Sequence, residues 1–434
     1  MKNEIIAKIK QKKIKIAIIG LGYVGLPLCM RFIKAGIKVF GIDTDKKKIS
    51  FLRNGKSYIN NLKINRLNYF KKYKNYVSNE YELVSKADII IIALPTPLKK
   101  NYTPDLKYIK NCISKLERLI LPNQTVILES TVYPGATEEH FKKLLFKKNL
   151  IPGENIFLGF SPERENPGDP LFTYNVTPKV VSGKTKFCEK VIKEVYQHIV
   201  KKVFVAESIK VAELSKLLEN TYRSVNISFV NEFKIISNKL NVNVWDVIKA
   251  AKTKNFGFIP YSPGPGIGGH CIPIDPFYLD WAAKNKNYHS KFINASKYVN
   301  KEVFNWSFNK ILRFLKDKKI TKNQILFLGI TYKANVDDIR ESPSLALFNK
   351  LYKKKLKIKF HDPYIKKTLI NFNNKKKYIN SVKNYENSLK ESSVVIIATC
   401  HDYYNYKKIL QKSKFIIDLR GKYINIKNKN VYKF

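Results

Sequence analysis

IKIAIIGLGYVGLPLCMRFIKAGIKVFGID, residues 14–43, decides how the first part of this chain folds. Residues 14–19 are apolar and β-branched, as in a strand covered on both faces of a parallel sheet. Gly20-Leu21-Gly22-Tyr23-Val24-Gly25 breaks the run. Leu26 to Ala35 then follows helical spacing, and Gly36 stands where a helix ends. Lys38–Ile42 is a second strand and leads into Asp43, 23 residues after Gly20. Strand, glycine turn and helix in this order make a dinucleotide cradle. Gly20 permits the tight turn, Gly22 lets a pyrophosphate approach the backbone, and Gly25 lets the helix pack on the strand. The helix N-terminus adds free N–H groups and the positive end of a dipole. A carboxylate at Asp43 would accept from both ribose hydroxyls and repel a 2′-phosphate, which favours NAD over NADP. Lys46–Lys48 beside it weaken that preference.

Working outward, strands are expected at Ile89–Leu94, Thr125–Glu129, Ile156–Phe160 and Val180–Ser182, with lysine-rich helices between them, the signature of a parallel, doubly wound sheet. From Ser208 to Leu240 the pattern changes. No proline or glycine interrupts, and Val211, Leu214, Leu217, Leu218, Tyr222, Val225 and Phe229 recur at three- and four-residue spacing, predicting one long helix. Val244–Ala251 and Lys291–Lys316 also read as helix. A second α/β pattern starts near Gln324: ILFLG resembles the opening strand, KIKFHDPY reaches Asp362 much as KVFGIDTD passes through Asp43, and VVIIATCHDY echoes IIIIALPTPL. The two parts read as a distant internal repeat. The second copy lacks the glycine triad, since Gly329 precedes Ile330, Thr331 and Tyr332, so a different ligand is expected there. The fold class is α/β: two Rossmann-like, doubly wound domains joined by a central long-helix domain, with boundaries at 1–205, 206–317 and 318–434. The long helix is a natural spine and an expected homodimer interface.

At 434 residues the chain exceeds the roughly 250–300 that one core serves. Five scattered cysteines, with no CxxC pair, exclude a disulfide framework and suit a reducing, cytoplasmic setting. No apolar run approaches the ~20 residues of a membrane span, and the basic N-terminus lacks the apolar stretch of a signal peptide. The net charge of +47 suggests a nucleic-acid partner. Only nine of the 81 basic residues are arginine, however, and the lysines lie in every segment. A composition bias explains this better than a recognition surface, and its diffuse field would still attract an anionic sugar nucleotide.

Residues 263–276, PGPGIGGHCIPIDP, hold four glycines and two prolines before one cysteine. Such a segment is neither helix nor regular strand. It is a shaped loop whose backbone can approach a ligand closely, and Cys271 at its end is the candidate nucleophile. Cys29 and Cys400 lie in apolar runs and read as buried. A metal role for His270 is not expected, since no second histidine lies at ligand spacing.

GLGYVGLP, STVYPGATEE, FSPERENPGD, AELSKLLENTY, GPGIGGHCIPIDP and ITYKANVDDIRESPS occur in this order. Together they resemble the UDP-glucose/GDP-mannose 6-dehydrogenase family from about residue 13 to 425. The resemblance implies a Rossmann NAD domain, a central helical dimerisation domain and a Rossmann-like UDP-sugar domain. It implies Cys271 as nucleophile, Lys216 and Asn220 as a central-helix pair beside it, and Asp275 as the acid four residues on. It makes Glu163 the group that assists hydrolysis and Thr131 the holder of a catalytic water. Tyr23, Val24, Thr96 and Thr131 join Gly20, Gly22, Gly25 and Asp43 as expected cofactor contacts. Arg164, Gly268, His270, Lys333 and Arg420 join Lys216 and Asn220 as expected substrate contacts.

Within the family, GGHCIPIDP departs from the GGxCxxKD pattern of UDP-glucose enzymes, and SPERENPGD from SPEFLREG. Both variants resemble the branch acting on UDP-N-acetylhexosamines, with UDP-N-acetylglucosamine favoured and UDP-glucose the alternative. The implied reaction is a four-electron oxidation at C6 that uses NAD twice and serves polysaccharide or glycan synthesis. Two rivals remain on the sequence alone: a dehydrogenase of one hydride transfer on the same scaffold, and a basic nucleic-acid-binding protein.

Overall fold

The computed structural model describes residues 2–59, 68–164, 177–320, 324–372 and 375–434. The chain divides into two compact units. One comprises Met1–Glu219 with Phe277–Tyr288, the other Asn220–Pro276 with His289–Phe434.

The first unit is built on eight strands: β1 (Lys15–Ile19), β2 (Lys38–Ile42), β3 (Val77–Ser78), β4 (Ile89–Ile92), β5 (Thr125–Leu128), β6 (Phe157–Phe160), β7 (Lys179–Gly183) and β8 (Val203–Val205). Their order is β3-β2-β1-β4-β5-β6-β7-β8. Chain direction along the sheet reverses between β1 and β4, the crevice where α/β folds bind nucleotides. Central strands such as Ile89–Ile92 are apolar at every position because both sheet faces are covered. The sheet departs from the all-parallel expectation at one place: β7 runs antiparallel to β6, pairing Gly159 with Gly183. The helix Gly25–Lys34 ends at Ala35, and Gly36, at φ +82°, closes it as expected. Its N–H donates to Ile33 O, and that of Ile37 to Phe32 O. An additional helix, Lys2–Lys10, precedes β1 and buries Ile5, Ile6 and Ile9.

The second unit carries β9 (Gln324–Leu328), β10 (Ile358–His361), β11 (Lys367–Phe372), β12 (Lys375–Asn380), β13 (Ser392–Ile397), β14 (Phe415–Asp418) and β15 (Val431–Lys433). Five form a parallel sheet, β10-β9-β13-β14-β15, while β11 and β12 make a separate antiparallel pair. The order β10-β9-β13 repeats β2-β1-β4, so the internal repeat is real in topology. It also holds in detail. Gly20 (φ +94°) donates to Ile42 O at 2.8 Å, and Gly329 (φ +81°) to His361 O at 2.9 Å. Asp43 Oδ2 accepts from Leu21 N at 3.0 Å, and Asp362 Oδ2 from Ile330 N at 2.8 Å.

The long helix spans Ile209–Lys239. Its apolar residues predicted the helix but not its orientation. Leu217 is buried, whereas Val211, Leu214, Leu218, Tyr222 and Phe229 are exposed. Beside Leu217, Val230 and Ile235, the buried residues are mostly polar or small: Glu213, Asn220, Ser224, Ser228, Asn231, Lys234 and Ser237. In the second unit this face packs on the helix Lys291–Asp317: Ser228 Oγ lies 2.5 Å from Ser296 Oγ and accepts from Asn300 Nδ2 at 2.8 Å.

Candidate active site

In the first unit the glycine turn sits at the sheet crevice. A Cβ on Gly20 would lie 2.5 Å from Ala93 O, and one on Gly25 only 1.8 Å from Gly20 O, so both positions exclude any side chain. Among the described residues, a Cβ on Gly22 would meet nothing within 4 Å. Packing among the described residues therefore does not require a glycine at position 22. Val24 precedes the helix without a side-chain cap. Open space at Gly22 and an uncapped helix start fit the pyrophosphate of a dinucleotide. Tyr23 beside them is exposed.

Asp43 is buried at the end of β2. Besides Leu21 N, its carboxylate accepts from Asp45 N at 2.9 Å and Lys48 Nζ at 2.8 Å. Lys48, one of the lysines expected to weaken the ribose preference, thus pairs with Asp43 itself. Thr96, also buried, offers its carbonyl to Tyr278 OH at 3.1 Å. Thr131 is half-buried just past β5.

Glu163 follows β6 and is held from several sides. Its Oε2 lies 3.5 Å from Lys179 Nζ, its Oε1 accepts from Arg164 N at 2.9 Å, and its carbonyl accepts from Lys216 Nζ at 2.5 Å. Arg164 forms an ion pair with Glu219 at 2.7 Å and donates to Pro178 O. Glu163, Arg164 and Lys216 are therefore brought together. The ENPGD end of the motif, residues 165–169, lies outside the described residues. Sequence reading missed Lys179 and Glu129, buried behind Glu163, because a lysine in this composition carries no signal.

In the second unit the glycine loop lies against the second Rossmann-like sheet. A Cβ on Gly268 would come within 2.6 Å of Pro343 Cδ and 2.8 Å of Glu341 O; one on Gly264 would meet Arg420 Nη1 at 2.6 Å. Gly269, at φ +99°, donates to Arg340 O at 3.2 Å and lies under the Tyr332 ring. The loop glycines serve close approach to the segment carrying Lys333 and to Arg420. Arg420 itself donates to Ala398 O at 2.8 Å. His270 is half-buried, and burial, with the nearby Arg340 guanidinium, lowers its pKa and favours the neutral ring. Asn231, also unforeseen, anchors the loop by accepting from Gly264 N at 2.8 Å. It lies eleven residues, about three turns, beyond Asn220 on the same helix.

Cys271 is the exposed thiol among the five free cysteines. Its carbonyl accepts from Ile274 N and Asp275 N, the turn that opens the helix Asp275–Lys284. Asp275 is buried in that first turn and accepts from Asn220 Nδ2 at 2.5 Å. By contrast, burial pushes the Cys112 thiol up to about 12 and Cys400 to about 11, leaving both protonated and inert. Among the described residues no group of three His, Cys, Asp or Glu side chains is placed to hold a metal ion, and no helix is long and apolar enough to cross a membrane.

A glycine-turn Rossmann unit, a second such unit without the triad, and an exposed cysteine after a glycine loop define a nucleotide-linked dehydrogenase. The chain belongs to the UDP-glucose/GDP-mannose dehydrogenase family: residues 14–200 match its NAD binding domain, 210–302 its central domain and 326–425 its UDP binding domain. It is accordingly an NAD-dependent oxidoreductase. Protein CapL of Staphylococcus aureus is 36% identical over 94% of this chain and 95% of its own. The UDP-N-acetyl-D-glucosamine 6-dehydrogenase of Salmonella typhi is 36% identical over 81% of this chain and 83% of its own. Among solved structures, the UDP-D-ManNAc dehydrogenase of Pyrococcus horikoshii superposes with a TM-score of 0.84 at 27% identity, over 96% of this chain and 98% of that one.

Proposed function

We propose that this chain oxidises the C6 hydroxyl of a UDP-N-acetylhexosamine to the carboxylate, with UDP-N-acetylglucosamine as the preferred sugar. The reading rests above all on Cys271, an exposed thiol at the end of a glycine loop packed against the segment that carries Lys333. The Salmonella relative supports the glucosamine assignment; the Pyrococcus structure makes UDP-N-acetylmannosamine the second reading.

Bound NAD supplies the hydride acceptor, once for each of two oxidation steps. The chain's own groups do the rest. Gly20, Gly22, Tyr23, Val24, Gly25, Asp43, Thr96 and Thr131 bind and orient the cofactor. Arg164, Gly268, His270, Lys333 and Arg420 hold the nucleotide sugar. As the first hydride leaves C6, an ordered water takes the hydroxyl proton and Lys216 steadies the charge on the oxygen, which leaves the aldehyde. The Cys271 thiolate adds to the aldehyde carbon, so a covalent thiohemiacetal keeps the half-oxidised sugar on the enzyme. Loss of a second hydride and of the hydroxyl proton gives a thioester. Glu163 takes a proton from water, possessed of a site held by Thr131, and the water oxygen displaces the thiolate. Asn220 and Asp275 orient the oxyanion and the water.

The exposed apolar row on the long helix supports a homodimer built on that helix. Leu218 and Phe229 are 64% and 63% exposed, on a face left uncovered among the described residues. Free thiols throughout support a cytoplasmic enzyme. The domain boundaries at 205/206 and 317/318 belong to the same reading, as does a place in polysaccharide synthesis.

The test is a panel of UDP-N-acetylglucosamine, its galactosamine and mannosamine epimers, and UDP-glucose, each with NAD and with NADP. Two reduced cofactors per sugar, with a C6 acid as product and the highest kcat/KM for UDP-N-acetylglucosamine, are expected. One reduced cofactor per sugar, or no reaction with any N-acetylhexosamine, would overturn the reading.

A further inference from the structure

Glu129 directly follows β5, Lys179 opens β7, and Glu163 lies just beyond β6 between them. Lys179 is 1% exposed. Its ammonium lies 3.2 Å from Glu129 Oε1 and 3.5 Å from Glu163 Oε2, and donates to Pro162 O at 3.1 Å. Tyr196 OH donates to Glu129 Oε1 from the helix Lys186–Gln197, and Glu129 Oε2 is buried without a hydrogen-bond partner among the described residues. Among the described residues, Lys216 on the long helix donates to the Glu163 carbonyl, and Arg164, next in sequence, pairs with Glu219 on that helix.

Two carboxylates thus share one buried ammonium. Sheet packing alone does not call for this, because apolar residues of similar volume serve a core as well or better. The arrangement does suit a carboxylate that must be held in place yet stay basic. An ammonium committed to Glu163 alone would make it a poor proton acceptor; Glu129 draws that ammonium back.

We propose that Lys179 and Glu129 are positioning residues that fix the Glu163 carboxylate and balance its affinity for a proton during thioester hydrolysis. The proposal rests on the hydrolytic role given to Glu163 above. Removing Lys179 takes a positive charge from beside Glu163 and makes it a stronger base. Removing Glu129 takes a negative charge from behind Lys179 and makes Glu163 a weaker base. The two changes therefore act in opposite directions, which loss of packing does not.

The experiment measures the rate of acid release in a single turnover, against pH, for the full-length enzyme. The wild type is compared with Lys179→Met, Glu129→Gln, the double variant and Glu163→Gln. The acidic limb is expected to move up by roughly one pH unit in Lys179→Met and down by a similar amount in Glu129→Gln. It should return near its original position in the double variant, which loses one charge of each sign. UDP-sugar binding by calorimetry reports folding; if Lys179→Met does not fold, Glu129→Gln and the double variant still decide. A limb that stays fixed, or moves the same way in both single variants, overturns the proposal while leaving the role of Glu163 intact. A limb that survives in Glu163→Gln overturns the role of Glu163 and this proposal with it.

Discussion

Asn220 donates its side-chain amide to the Asp275 carboxylate at 2.5 Å, both groups buried, and so ties the long helix to the turn that follows Cys271. Asp275 also opens the helix Asp275–Lys284, where a negative charge suits the dipole. Asp275→Ala leaves a buried amide without this acceptor, at a cost of about 1–3 kcal/mol. Denaturant unfolding should show that loss together with slower turnover; unchanged stability would mean that the bond does not anchor the thiol's turn.

The glycines separate binding from folding. Gly22→Ala adds a methyl group that meets nothing among the described residues. The melting temperature should therefore hold, while NAD affinity falls roughly tenfold or more as the methyl enters the space of the pyrophosphate. Gly25→Ala drives a Cβ into Gly20 O and should prevent folding of the first unit. Calorimetric NAD titration and thermal melts of the two variants check the contrast; equal NAD affinity in Gly22→Ala would remove the pyrophosphate from this turn.

The apolar row on the long helix predicts its own partner. Leu218→Asp with Phe229→Asp places two charges on a face that a second copy is expected to cover. Light scattering should find a dimer in the wild type and a monomer in the double variant; a monomeric wild type would leave the row without its proposed function.

A pH effect follows from His361, buried against Tyr404 at the end of β10. Burial lowers its pKa from 6.5 to about 4. Its neutral form is favoured in the folded state, so its stabilisation is complete above pH 6.5 and is lost as pH falls toward 4. The full effect is about 3 kcal/mol. The difference in unfolding free energy between wild type and His361→Asn should shrink over that window; a constant difference would show that burial does not suppress this proton.

How far the sequence reveals the protein depends on which forces leave a local trace. The Gly20 turn, Gly36 and the repeat linking Asp43 to Asp362 were legible because backbone geometry restricts residue choice at each. The long helix was legible in period but not in facing. Periodicity reports that one side is apolar, and Leu218 and Phe229 show that this side is left open. The helix Lys2–Lys10 was hidden because its three buried isoleucines, Ile5, Ile6 and Ile9, are matched by as many lysines in a segment read as a basic N-terminus. The reversal of β7 had no trace, since Val180 and Val181 read alike in a parallel or an antiparallel strand. Lys179 was the deepest omission: among so many lysines, only the fold distinguishes buried ones such as Lys179 and Lys234. At the candidate site, sequence singled out Cys271, Asp275 and Glu163, whereas Asn231, Tyr332 and Glu129 act through contacts distant in sequence.

The most direct test of the central claim is intact-mass and peptide mass spectrometry of Glu163→Gln incubated with UDP-N-acetylglucosamine and NAD. Slowed hydrolysis should leave the sugar nucleotide, less the hydrogens removed in oxidation, as a thioester on the peptide containing Cys271. Acid formation without any adduct, or an adduct on a different residue, would contradict the covalent role of Cys271.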